Sequence, residues 1–325
     1  MELTFTAISE DRPGATWGAM FQRMWPAYRR WYLREGIEER PTYLACRRAI
    51  RTHMPELAEL YDELCECAGG GDLAARFLSL YRPPAYLSGC SQAVWPGQEP
   101  LLVRNYDYSP LAFDAVILRT RWLGRPIMGM SDCMIGLIDG MNDAGLAVSL
   151  TFGGRRAVGD GFGAPMILRY VLETCDTVDE AVRVLTRVPS HMAYNVTALD
   201  AKGAFVTVYL SADRSAIVTN APVATNHQEN VEWGQHARAT ATVERERFIL
   251  HRLMKRDMPQ DRFLDAFLRP PLYALGYSRG NGTLYTAAYW PQRRSASYVW
   301  PTGEWRFGLD DFTPGTRRIG YPLAA

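Results

Sequence analysis

The chain changes texture once, at Ser88-Gly89-Cys90-Ser91, and that change limits what it can fold into. Before it, apolar residues recur at helical spacing. Residues 15–35 carry Trp17, Met20, Phe21, Met24, Tyr28, Trp31 and Tyr32 on one side and Arg and Glu on the other, the pattern of an amphipathic helix packed on a core. Residues 41–67 continue in the same period until Gly69-Gly70-Gly71 stops the run, as glycines do at helix ends. A short helix is expected from Asp72 to about Leu80, and Pro83-Pro84 breaks the pattern. The first ninety residues therefore read as helical.

After Cys90 the chain reads as strands near 91–96, 100–106, 114–122, 126–138 and 145–152, rich in Val, Ile, Leu and aromatics with turn residues between them. Helices fit 164–175 and 178–187, the second capped by Asp176-Thr177. Strands resume at 192–200, 203–210 and 214–219, with Ala201-Lys202-Gly203 as a hairpin connection. Helices at 240–255 and 259–268 precede a strand pair at 283–290 and 295–300. This order predicts a layered α+β architecture rather than alternating βαβ units.

Composition excludes several function classes. A formal net charge of +1, with scattered basic residues, offers no general attraction for nucleic acid or a membrane surface. No stretch is long and apolar enough to span a bilayer, and MELTFTAISEDRPG lacks the layout of a secretory signal, so the expected location is the cytoplasm. Six cysteines in such a chain read as thiols, not as a disulfide framework. Cys65 and Cys67 have no second pair nearby and the five histidines are dispersed, which argues against a metal site. No cofactor is expected.

Chemistry concentrates around Cys90. A lone cysteine is commonly a buried, inert thiol. Here Gly89 has no side chain to hinder attack on its carbonyl, and a hairpin would return Arg104, Asn105 and Asp107 to the neighbourhood of the thiol. Charges at Arg104 and Asp107 inside an apolar strand are costly unless paired or used. Both a structural ion pair and a reactive site satisfy that condition.

SGCS, RNYDY, DGMNDAGLAVSL, TNHQENVEW and GTLYTAAYWP, in this order from about Gly69 to Pro291, resemble the acyl-coenzyme A:6-aminopenicillanic acid acyltransferase family of self-processing cysteine enzymes. More distantly, the pattern is similar to the choloylglycine hydrolases and penicillin V acylases. The resemblance implies an N-terminal-nucleophile fold, a four-layer αββα sandwich with a helical pro-segment. It also implies cleavage between Gly89 and Cys90, leaving a small chain of residues 1–89 and a catalytic domain of residues 90–325. An α-amino group titrates near pH 8, so the cut would place nucleophile and general base on one residue. By position in the motifs, Asp107 would orient the Cys90 amine, Arg104 would steady the thiolate or a substrate carboxylate, and Asn226 would donate to the tetrahedral oxyanion. His227 is read as structural or pocket-lining. Thr151 stands where bile-salt hydrolase relatives carry an asparagine, which leaves the second oxyanion donor open. Phe152 and Asn195 are candidate pocket residues, as is Arg247, for which a solvated helix face is the equal alternative. Asn142 reads as a turn residue.

The activity expected is hydrolysis or acyl transfer at a small amide through a Cys90 thioester, with water, an amine or an acyl-coenzyme A as partner. Aromatics at Phe152, Tyr194, Trp233 and Tyr285 are compatible with an apolar acyl pocket. The alternatives are a choloylglycine-type acylase without propeptide removal, and a non-cleaving scaffold on the same fold. The apolar stripe of residues 1–89 predicts that the two chains stay together after a cut.

Overall fold

The computed structural model describes residues 1–255 and 257–322. It opens on an element that the helical reading of the first ninety residues misses: β1 (Glu2–Glu10) is a strand, followed by α1 (Ala15–Tyr32), α2 (Tyr43–His53), α3 (Ala58–Cys67) and α4 (Asp72–Leu78). Alternation of Leu3, Phe5 and Ala7 with polar residues is a period of two. Met54-Pro55 divides the 41–67 run, because Pro55 starts a fresh turn of helix and has no N–H to continue the previous one.

Six strands follow: β2 (Gly89–Trp95), β3 (Leu101–Tyr108), β4 (Val116–Thr120), β5 (Ile127–Asp132), β6 (Gly136–Asn142) and β7 (Ala147–Phe152). The single run read at 126–138 is two strands, since Cys133 and Met134 reverse the chain with φ of 54° and 65°. Next come α5 (Ala164–Thr174) and α6 (Val178–Arg187). Thr177 caps α6: its hydroxyl accepts from the Glu180 N–H, and the Glu180 carboxylate accepts from the Thr177 N–H in return. Strands β8 (Tyr194–Leu199), β9 (Phe205–Leu210), β10 (Ile217–Thr219) and β11 (Val223–Ala224) lead to α7 (Gly234–Thr240), α8 (Thr242–Leu253) and α9 (Gln260–Phe267). The chain ends in β12 (Gly282–Trp290), β13 (Ser295–Trp300), β14 (Gly303–Gly308) and β15 (Gly315–Gly320).

These strands form two sheets. One has nine strands in the order β10-β9-β8-β7-β6-β5-β4-β1-β15; the other has six, β11-β2-β3-β12-β13-β14. The sheets face each other through β2, β3 and β12 on one side and β6 and β7 on the other. Helices α5 and α6 cover the larger sheet, and α7–α9 lie outside the smaller one. The result is a four-layer αββα sandwich, the α+β class expected.

Residues 1–89 are built into this sandwich. β1 pairs in parallel with β4 and antiparallel with β15, so β15 joins the sheet only through β1. The Phe5 ring is fully buried and meets Trp300 of the opposite sheet edge-on at 4.9 Å. The helices lean on α5, whose residues are buried on nearly every side; a helix apolar all round needs cover on both faces. Tyr170 of α5 donates to the Glu56 carboxylate at 2.6 Å, and the Trp17 indole donates to the Met134 carbonyl at 2.9 Å. Among the described residues no helix is long and apolar enough to cross a membrane.

Phe5 therefore ties the N-terminal strand to both sheets. Phe5→Ala is expected to lower the unfolding free energy by about 3–5 kcal/mol, as for other buried Phe truncations. Urea unfolding checks it; a loss below about 1 kcal/mol would make β1 a peripheral strand.

Candidate active site

Alternation along β2 and β3 sorts the site onto two faces. Register pairs Cys90 with Tyr106, Gln92 with Arg104 and Gly89 with Asp107. Cys90, Gln92, Arg104 and Tyr106 therefore face the space between the sheets. Ser91, Asn105 and Asp107 face the outer helices. The hairpin brings Arg104 and Asp107 to Cys90 from opposite sides of one strand pair.

On the inner face the Cys90 thiol is fully buried, and Arg104 Nη2 donates to its Sγ at 3.2 Å. Arg104 is itself fully buried and crosses to the larger sheet, where Nη1 donates to the Ile138 carbonyl at 2.9 Å and to Asp139 Oδ2 at 3.0 Å. The hydroxyls of Tyr285 and Tyr289 both donate to Asp139, each at 2.5 Å. Burial alone would lower the Arg104 pKa; the facing Tyr285, Cys90 and Asp139 more than offset it and hold the guanidinium charged.

On the outer face a second buried arginine organises the site. Arg245 of α8 donates from Nη1 to the Cys90 carbonyl at 2.6 Å and to the Ser91 hydroxyl at 2.7 Å. Its Nη2 donates to Asn226 Oδ1 at 2.7 Å, and it lies 3.6 Å from the Asp107 carboxylate. Asp107 accepts from the Thr283 hydroxyl at 2.6 Å. Burial pushes Asp107 up to about 6, against the lowering effects of Arg245, the Thr283 hydroxyl and Arg104. Gly89 lies close against Asp107: a Cβ there would stand 3.3 Å from the Asp107 Cβ, a tight contact, and 3.7 Å from its Oδ2.

Asn226 connects the faces. Its Oδ1 accepts the Cys90 N–H at 2.9 Å, and its Nδ2 donates to the Ser88 carbonyl at 3.2 Å and the Phe152 carbonyl at 3.1 Å. The Thr242 hydroxyl accepts the Asn226 N–H at 2.7 Å. The Cys90 thiol donates to the Ser88 hydroxyl at 3.5 Å, so the peptide before Cys90 fills the space in front of both the thiol and Asn226.

The other candidates lie around this centre. Thr151 spends its hydroxyl hydrogen on the Thr225 carbonyl at 2.7 Å. Asn195 donates to Thr151 Oγ1 and to the carbonyls of Thr225 and His227 at 3.1, 2.8 and 2.9 Å. Both brace the segment that carries Asn226, and neither bonds Cys90. Phe152 contributes its carbonyl to Asn226 while its ring meets His236 and Trp233 edge-on. His227 turns outward, with Nδ1 against the Thr242 hydroxyl at 2.9 Å and Nε2 against Glu246 at 3.3 Å. Asn142, the last residue of β6, clamps the Leu172 and Cys175 carbonyls and the Leu146 N–H.

Arg247 is exposed, and Arg245 occupies the site in its stead. Two residues along a helix is a rotation of about 200°, which moves a side chain to the opposite face. The buried residues of α8 are Thr242, Arg245 and Ile249, and that 3-and-4 spacing was the signal for Arg245. Asp139 was also missed as a site residue, although it opens the DGMNDAGLAVSL segment and is a carboxylate inside the apolar run of β6.

A cavity of about 440 Å³ opens on the far side of Tyr106, between β3, the β5–β6 turn and α1. Phe152, Tyr194, Trp233 and Tyr285, expected around an acyl pocket, do not line it.

Comparisons with known proteins bear on the family and the fold. The family described as acyl-coenzyme A:6-aminopenicillanic acid acyl-transferase matches residues 95–305, more than half of the chain. No curated protein sequence matches significantly. Among solved structures, the chain is similar to a mutant of conjugated bile acid hydrolase from Clostridium perfringens (13% identity, 73% of this chain and 98% of that one, TM-score 0.51). It is similar also to penicillin V acylase from Agrobacterium tumefaciens (16% identity, 71% and 92%, TM-score 0.49). A third match is an N-acylethanolamine-hydrolyzing acid amidase ortholog from Caenorhabditis elegans (18% identity, 71% and 100%, TM-score 0.46). The sandwich is the N-terminal-nucleophile hydrolase fold.

The two arginines of α8 provide a direct contrast. Arg245→Ala leaves Asn226 Oδ1, the Ser91 hydroxyl and the Cys90 carbonyl without their shared donor and Asp107 without its nearby counter-charge, and should lower amidase turnover by at least about a hundredfold. Arg247→Ala, on the exposed face, should change neither turnover nor stability by more than about 0.5 kcal/mol equivalent. Parallel steady-state kinetics and melting curves of the two variants check this; equal effects would remove Arg245 from the site.

Proposed function

The chain belongs to the acyl-coenzyme A:6-aminopenicillanic acid acyltransferase family, and from that premise we propose that it is a self-cleaving cysteine amidohydrolase or acyltransferase. The observation that carries the reading is the double grip on Cys90. Its thiol sits 3.2 Å from a buried guanidinium, while its backbone N–H is held 2.9 Å from Asn226, itself fixed by a second buried arginine.

In the first step the Cys90 thiol, losing its proton, attacks the Gly89 carbonyl carbon. The Gly89–Cys90 C–N bond breaks and the nitrogen takes up a proton, leaving a Gly89 thioester and a free Cys90 amine. Water hydrolyses the thioester to a Gly89 carboxylate and regenerates the thiol. Departure of Ser88 and Gly89 from in front of Cys90 would release one Asn226 N–H, aimed at the space where a substrate carbonyl must sit. A donor of this kind is typically worth about a hundred- to a thousandfold in rate.

In the mature site the Cys90 amine takes the thiol proton as the thiol attacks a small amide. Arg104 favours the thiolate, Asn226 receives the oxyanion, and Asp107 with Arg245 orients the amine end of the strand. The amine component leaves with the proton, and water or a second amine takes the acyl group from the thioester. Cys90 must stay reduced for this, which suits a cytoplasmic protein; the cysteines of the structure are all unpaired thiols.

The position of β1 supports a retained small chain. A cut at Gly89 leaves β1 bonded to β4 and β15, so residues 1–89 and 90–325 would separate only on denaturation.

Intact mass under denaturing conditions tests the reading directly. Wild type should give two chains, the larger starting Cys90-Ser91-Gln92, and Cys90→Ala a single uncut chain; a cleaved Cys90→Ala protein would overturn the mechanism. The pH dependence supplies a second test. Asp107 loses its charge as pH falls through about 6, so kcat/KM on a chromogenic amide should decline on that acidic side. The limb should vanish in whatever activity Asp107→Asn retains; a limb unchanged in that variant would assign it to another group.

A further inference from the structure

The cavity beyond Tyr106 has the chemistry of a cation site. Its sides are ring faces and edges from Tyr28, Trp31, Tyr86, Tyr106, Tyr108 and Phe113, and its floor carries two carboxylates, Asp114 and Asp132. Both acids are more than nine-tenths buried, at 7% and 6% exposure.

The two acids are in different situations. Asp114 is fully engaged: one oxygen accepts from the Tyr28 hydroxyl, and the other accepts from the Ser131 hydroxyl and the Met134 N–H at 3.0 Å each. Asp132 has a single side-chain partner, the Cys133 thiol at 3.8 Å, is steadied also by the Cys133 backbone N–H, and has no lysine or arginine within ion-pair distance among the described residues. Burying a carboxylate with no cation to match it is expensive. Desolvation, followed by the neighbouring charge of Asp114, pushes Asp132 up to about 7, against the lowering effects of the Cys133 backbone N–H, the Cys133 thiol and Arg104. The protein surrounds this acid with aromatic walls, and such walls attract cations through their faces. Arg23 and Arg30 of α1, both exposed, also line the cavity, and the charge of Arg23 acts on Asp114.

Tyr106 links the cavity to the nucleophile. It is the cross-strand partner of Cys90, and the Arg104 guanidinium that contacts the thiol lies 4.9 Å from the centre of its ring. Tyr86, on the chain leading into Gly89, forms another wall.

We propose that this cavity is a subsite for a protonated amine, so that the small amide substrate carries an ammonium group that sits among the rings and pairs with Asp132. The assignment of the occupant as substrate rests on the reading of Cys90 as the nucleophile; the affinity of the cavity for ammonium does not. The site combines a carboxylate without a cation, aromatic walls, and contributions from both sides of the 89–90 bond. Residues 1–89 thereby become part of the binding surface.

The test uses the full-length Cys90→Ala chain, which cannot form a thioester, with n-hexylammonium and its neutral counterpart 1-hexanol as probes in calorimetry. Near pH 8.5, where Asp132 is charged, the ammonium should bind at least about tenfold tighter than the alcohol. The preference should shrink near pH 5.5, where Asp132 is protonated, and Asp132→Asn should bring the two probes within about twofold of each other. Equal affinities for the two probes in the parent chain would overturn the proposal whether or not the Asp132 variant folds. An undiminished preference in a folded Asp132→Asn chain would overturn it too. The two readings fail separately. Loss of the ammonium preference removes the subsite and leaves the nucleophile intact. A wild-type chain that binds ammonium selectively but never cuts removes the nucleophile and leaves the subsite.

Discussion

The structure depends on Arg104, a guanidinium fully buried between two sheets. A buried charge of this kind is tolerated only when its hydrogen bonds are met by groups held in place. Arg104 meets that condition at its two Nη atoms, which span the sandwich: one reaches the Asp139 carboxylate and the Ile138 carbonyl of the nine-stranded sheet, the other the Cys90 thiol of the six-stranded sheet, while its Nε has no partner among the described residues. Tyr285 and Tyr289, from the strand beside β3, close the network on Asp139. Sheet spacing, strand register and thiol position are thus coupled through one side chain. Removing Asp139 would leave an uncompensated charge worth about 3–5 kcal/mol against the fold.

A second arginine does for the backbone of Cys90 what the first does for its thiol. Arg245 approaches from the helical layer and bonds the Cys90 carbonyl, the Ser91 hydroxyl and Asn226. Because side chains alternate along a strand, the thiol and Asp107 lie on opposite faces, and the backbone nitrogen of Cys90 lies between them. One strand pair thereby separates two tasks: charge for the sulfur on the inner side, orientation of the nitrogen on the outer side. Gly89 is the place where the outer side can press close, since a side chain there would crowd Asp107.

The N-terminal ninety residues join this centre from two directions. β1 lies inside the nine-stranded sheet and carries β15, while α1 supplies one wall of the aromatic cavity. A peptide bond between Gly89 and Cys90 is then a constraint on chemistry far more than on shape. The hydrogen bonds and buried rings that hold the small segment do not run through that bond.

Much of this was legible in the sequence for local reasons. Helical and strand periods are short-range, so the helix-to-strand change at Cys90, the two helices after Gly163 and the Thr177 cap follow from neighbours a few residues apart. Arg104, Asp107 and Cys90 share one hairpin, so their meeting was also a local matter. What the local pattern misreads is equally specific. β1 has no partner nearby in sequence and pairs with strands more than a hundred residues away. Arg245 and Arg247 differ only in which face of α8 meets β2, and the sheet decides that. Asp139 and Asp132 are single acids in apolar runs until the opposing layer shows one to be paired with Arg104 and the other left facing a ring of aromatics. The sequence by itself determined the layered α+β class and the hairpin that carries Cys90, because both rest on periods of two and 3.6 residues and on one tight strand connection. Only the tertiary structure decided which arginine holds the site, which strand completes the sheet and which carboxylate lacks a counter-charge, because burial and pairing across layers are set by residues far apart in the chain.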